Sequence, residues 1–101
     1  MKILALEVEN YPVVWNEIEP ALLQSEAKRV YELEQQNLIR QIYFRADTQS
    51  AVIEWEAESV KEVVVLLADF PLVKAGLIHF DVIPLMPYTG FSRLFGKFLY
   101  L

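Results

Sequence analysis

The chain has 101 residues, enough for one domain and too few for two. Its 54% hydrophobic content is high for a domain with so much surface relative to its volume, which predicts a buried subunit interface or a lined pocket. A net charge of −5 and the absence of cysteine exclude a basic nucleic-acid footprint, disulfides and thiolate metal sites.

The first strand is predicted over Lys2–Val8. Its short apolar run soon meets Glu7 and Glu9, so it reads as a strand and not as a signal peptide. No segment approaches the ~18–20 apolar residues of a membrane span, and a cytoplasmic protein is the expectation. Val13–Glu17 reads as a short separate turn, followed by a long helix from about Ile18 to Gln36 with Pro20 in its first turn. Asn37 suits a left-handed cap. Leu38–Ala46 and Ala51–Ala57 form a hairpin across the turn Asp47-Thr48-Gln49-Ser50. Ser59 and Glu62 have capping-box spacing and open a second helix over Val60–Asp69, which Pro71 stops. Phe70–Gly76 is expected as loop, and Leu77–Leu85 as the fourth strand, ended by Pro84 and Pro87. The order βαββαβ predicts an α+β, ferredoxin-like domain over residues 1–87 with both helices on one sheet face. Residues 88–101 form an apolar tail, packed on its own or a partner subunit. A membrane-surface helix is the minor option for it.

Strand alternation assigns Leu4, Leu6, Val8, Ile42, Phe44, Ile53, Trp55, Ile78, Phe80 and Val82 to the helix-covered face. The opposite face then carries Glu7, Gln41, Tyr43, Arg45, Glu54, Glu56, His79 and Asp81, mixed with Ile3, Ala5, Val52, Leu77 and Ile83. A solvent face would be more polar, so this surface predicts a homodimer through the open face of the sheet. The second helix points the same way. Val60, Val63, Val64 and Leu67 make one stripe, while Val65 and Leu66 lie off it, so more than one side should be covered.

Three groups could carry chemistry. Glu26 falls within the apolar stripe Ile18, Leu22, Val30 and Leu33 of the first helix. A carboxylate aimed at a core has a raised pKa, the condition for a general acid or base near neutral pH. The competing reading pairs it with Arg29 at the rim. Arg40, Tyr43 and Arg45 on the second strand could hold a carboxylate, or the arginines could pair across strands with Glu54 or Glu56. His79 and Asp81 share a face of the fourth strand, where the bland reading is a satisfied interface histidine. A single His and no Cys offer little from which to build a metal centre. No glycine-rich phosphate loop or nucleophile elbow is present.

The stretch from Glu26 to Tyr88 resembles the muconolactone isomerase family of the dimeric α/β-barrel superfamily. The resemblance lies in Ser25-Glu26-Ala27-Lys28, Ile39-Arg40 leading to Tyr43-Phe44-Arg45, Ser59-Val60, Phe70-Pro71-Leu72, Ile78-His79-Phe80-Asp81 and Pro87-Tyr88. It implies a ferredoxin-like dimer, often assembled further, and a cofactor-free double-bond shift in a small anionic lactone. It gives Glu26 the acid/base role and makes Arg40 and Arg45 candidates for the substrate carboxylate, with Tyr43 at an aromatic position. A one-residue offset between Arg40 and Ser59 and the apolar tail depart from the family pattern.

Three functions therefore stand as expectations. The first is an isomerase-like enzyme for a small anionic carbonyl compound. The second is a non-catalytic binding or assembly module of the same fold. The third is a cofactor-free monooxygenase, for which Asn10, Trp55 and His79 are suitable residue types, although Trp55 and His79 fall on opposite faces. The isomerase reading contains a conflict of its own. Glu26 points to the helix-covered side and Tyr43 and Arg45 to the other, unless a bulge reorients the strand.

Overall fold

A computed structural model describes residues 1–96. Four strands, β1 (Lys2–Glu9), β2 (Ile39–Phe44), β3 (Ala51–Glu56) and β4 (Ile78–Pro84), form one sheet in the order β2-β3-β1-β4. Each neighbouring pair is antiparallel. Helices α1 (Pro20–Gln35) and α2 (Val60–Ala68) pack on one face, giving the ferredoxin-like arrangement expected from the order of elements. A 3₁₀ turn at Trp15–Glu17 precedes α1, and α1 begins at Pro20, where its missing N–H costs no hydrogen bond. Asn37 takes φ 62°, the left-handed conformation that ends the helix.

The core joins α1 and α2 to the sheet through Leu33, Val63 and Leu67 above Ile53, Trp55 and Ile39. Trp55 and Phe70 approach with ring centroids 6.2 Å apart, and Phe80 meets Phe70 edge-on at 5.8 Å. The Ser59 hydroxyl accepts from the Glu62 N–H, and the Glu62 carboxylate accepts from the Glu58 N–H. That exchange fixes the start of α2.

The structure corrects three expectations. The first concerns β1, whose faces are reversed. Ile3 and Ala5 are fully buried beneath the helices, paired with Trp55 and Ile53, whereas Leu4, Leu6 and Val8 lie on the open face. A central strand is apolar on both sides, so alternation separates its two faces without saying which is covered. Glu7 consequently sits on the helix-covered side, and so does Glu9. The second concerns Phe70–Gly76, which contains a one-turn helix, α3 (Pro71–Lys74), because Pro71 starts a helix as readily as it stops one. The third concerns α2, whose buried positions are Val63 and Leu67, flanked by half-buried Val60 and Leu66, while Val64 and Val65 are exposed. The α2 axis is thus turned by about one residue from the expected stripe.

The open face presents Leu4, Leu6 and Val8 in its centre. They are flanked by Val52 and Glu54 on β3 and by His79, Asp81 and Ile83 on β4. Within residues 1–96 both long helices lie on the other side. Beyond β4, a 3₁₀ segment at Gly90–Phe95 leaves Phe91, Leu94 and Phe95 exposed, and Tyr88 stacks edge-on against Phe91 at 4.9 Å. The rest of the predicted tail lies outside the described residues.

Candidate functional site

Helix α1 touches the sheet unevenly. Leu33 near its C-terminal end is its one fully buried residue. At its other end, Leu22 and the preceding Ile18 lean on Leu72, Leu77 and Ile78, toward α3 and β4. The N-terminal half of α1 therefore leaves β2 and β3 uncovered, and Phe44, which faces the helix side, is 76% exposed. The gap is a cleft of about 970 Å³, within the usual size of small-molecule sites.

Glu26 reaches this cleft from α1 and Glu7 from β1. The Glu26 Oε1 accepts a 2.9 Å hydrogen bond from the Leu72 N–H at the start of α3. Burial pushes the Glu26 carboxyl above its usual value, the Leu72 N–H partly opposes this, and the negative charge of Glu7 adds to the rise. Glu7 is shifted in the same direction, by burial first, with the Ala51 backbone opposing and Glu9 adding. Two half-buried carboxyls thus face one cavity, and the charge of Glu7 reaches Glu26. Glu9 has a different task. Its carboxylate accepts from the Trp15 indole N–H at 2.6 Å and lies 3.5 Å from the Val13 N–H, tying the segment before α1 over one end of the cleft.

The remaining sequence candidates divide between locations. Arg45 and Tyr43 contribute to the cleft wall at the β2 side. Arg45, however, donates from Nε and Nη2 to both oxygens of Asp47, at 2.9 and 2.7 Å. The Tyr43 hydroxyl donates to Gln41, and Tyr43 shares the open-face row with Val52. Arg40 is outside the cleft lining and donates from Nε to the Asn37 carbonyl. A register irregularity between Ile39 and Gln41 makes Arg40 the unpaired residue of a bulge. This bulge precedes Tyr43 and does not turn it toward Glu26. His79 and Asp81 occupy the open face, paired with Val8 and Leu6. Asn10 donates to the Gly76 carbonyl, so its Oδ1 is free to accept from His79 Nδ1 at 2.6 Å. His79 Nε2 then faces Asp81 at 4.0 Å. Trp55 lies buried beneath the helices, so Asn10, Trp55 and His79 do not form one site.

Sequence reasoning missed Glu7, which shares the cleft with Glu26. The available signal was Glu7 itself, a charge inside an otherwise apolar central strand, but the reversed face of β1 hid its direction.

No family model matches the chain, and no curated protein matches it in sequence. Solved structures do match its fold. Muconolactone isomerase superposes with a TM-score of 0.68 at 17% identity, over 88% of this chain and 92% of the isomerase. A 5-chloro-2-hydroxyhydroquinone dehydrochlorinase from Burkholderia phenoliruptrix AC1100, in complex with 2,5-dihydroxybenzoquinone, superposes with a TM-score of 0.61 at 21% identity, over 89% of this chain and 98% of the dehydrochlorinase. The chain thus has a muconolactone isomerase-like fold. Among the described residues, no helix is long and apolar enough to cross a membrane.

Proposed function

We propose that the cleft is a cofactor-free proton-transfer site for a small carbonyl compound, of the kind a muconolactone isomerase-like enzyme needs to shift a double bond. The observation that supports this most is the pair Glu7 and Glu26, two carboxyls raised by burial and facing one cavity. A double-bond shift takes a proton from carbon next to a carbonyl and returns one at another carbon. A carboxylate of raised pKa is the stronger base, and a neighbouring carboxyl that retains its proton is a ready acid. Glu26, fixed by Leu72, takes the base role, and Glu7 returns a proton at the other carbon. The arginines are less suited to an anionic lactone than the sequence suggests, because Arg45 is engaged by Asp47 and Arg40 lies outside the cleft.

The protomer is proposed to dimerise through the open face, covering Leu4, Leu6 and Val8. Tail residues 88–101 then lie on their own or the partner subunit. A second reading follows from the Leu72 bond. Glu26 could serve only to fasten α3 to α1, leaving a binding module without chemistry.

Deuterium exchange into small lactones and cyclic enones separates the two. Glu26→Gln keeps an oxygen for the Leu72 N–H but cannot accept the proton. Under the enzyme reading, exchange falls by about 10²-fold or more. Unchanged exchange in a folded Glu26→Gln protein leaves Glu26 a structural residue.

A further inference from the structure

Resting on the reading of the cleft as a small-molecule site, we propose that its ligand carries a protonated amine on an aromatic or apolar body, in place of a carboxylate. Among the described residues, four glutamates, Glu7, Glu9, Glu26 and Glu34, contribute to the cleft wall, against one cationic side chain, Arg45. That guanidinium is neutralised in place, since both oxygens of Asp47 accept from it. The cavity therefore presents uncompensated negative charge, and burial strengthens its effect on anything that enters. A carboxylate entering there gains no free cation from the described residues and is repelled by its neighbours.

An ammonium group meets the opposite conditions. It donates three hydrogen bonds, and the carboxylates of Glu7 and Glu26 each retain acceptor capacity beyond the single backbone donor set against them. The apolar part of the wall is rich in rings. Trp15, Tyr31, Phe44, Phe70 and Phe80 all line the cleft. Aromatic faces attract organic cations and accept flat ring systems without polar partners. Negative charge and aromatic walls in one concavity thus favour a single chemical class, the organic ammonium ion.

Three probes of similar shape test this on the full chain: 2-phenylethylamine, 2-phenylethanol and phenylacetate. Binding is followed by calorimetry and located by backbone amide shifts. The proposal expects 2-phenylethylamine to bind at least about tenfold more tightly than phenylacetate, with the alcohol between them. Glu7→Gln narrows that preference, and so does Glu34→Lys, an exposed change that spares the fold. Equal or tighter binding of phenylacetate at the cleft overturns the ammonium assignment and leaves the cleft as a binding site. An amine preference unchanged in both variants also overturns it. Failure of all three probes to shift amides around Glu26, Ala51 and Ile53 overturns the cleft itself as a site, and the ammonium assignment with it.

Discussion

Glu7 and Glu54 are both glutamates on central strands of one sheet, and they occupy opposite faces. Glu54 lies on the open face, where Lys2 meets it at 3.1 Å. Glu7 lies under the helices, near Glu9 and Glu26, with a carboxyl raised by burial. The open face places its charges around an apolar centre and pairs Glu54 with Lys2 and His79 with Asn10. The helix-covered face keeps two carboxyls in a half-buried cavity whose wall, among the described residues, holds no free cation. Charges kept where they are unfavourable point to a task beyond folding, whereas charges around an apolar centre suit a surface that meets another protein.

The contrast can be broken most severely at the core of the covered face. Trp55→Ala removes a fully buried ring and is expected to cost about 3–5 kcal/mol in a urea unfolding curve. A loss below about 1 kcal/mol would mean that the covered face is not the core. On the open face, Leu6→Asp should act on assembly more than on fold. The mass by light scattering is expected to drop from the proposed dimer to the protomer while the far-ultraviolet spectrum is kept. Ser59→Ala removes the oxygen that accepts from Glu62, and should cost about 1 kcal/mol without changing assembly.

The smallest effect has an unusual sign. Glu26 has a folded pKa above its unfolded value, so the protonated form is favoured by folding. Its stabilisation is complete below the unfolded value of about 4.5 and is lost as the pH rises through the folded pKa. Glu26→Gln, which mimics the protonated form, is therefore expected to raise the melting temperature at pH 7 and to leave it nearly unchanged at pH 4. The same holds for Glu7→Gln. A site kept for chemistry at the expense of stability behaves in this way.

Much of the architecture was legible because local signals agreed with the final packing. Ser59 and Glu62 start α2, Asn37 ends α1, and the turn before Ala51 closes the hairpin. The direction of β1 was not legible, since Ile3, Ala5, Leu4 and Leu6 are all apolar and only the partner strands decide which pair is covered. Glu26 was legible because a charge interrupts a helical stripe. Glu7 was not, because strand alternation placed it with the wrong neighbours. The bulge at Arg40 and the engagement of Arg45 by Asp47 depend on register and on a turn conformation, which residue spacing does not encode.

The proposed function requires Glu7 and Glu26 to act as a pair in one cleft. Carbon-detected titration of the glutamate side chains tests it most directly. Both carboxyls are predicted to titrate above the ordinary glutamate range, and Glu7→Gln is predicted to lower the Glu26 value by removing a negative neighbour. Ordinary values for both, or a Glu26 titration indifferent to Glu7→Gln, would contradict that pairing.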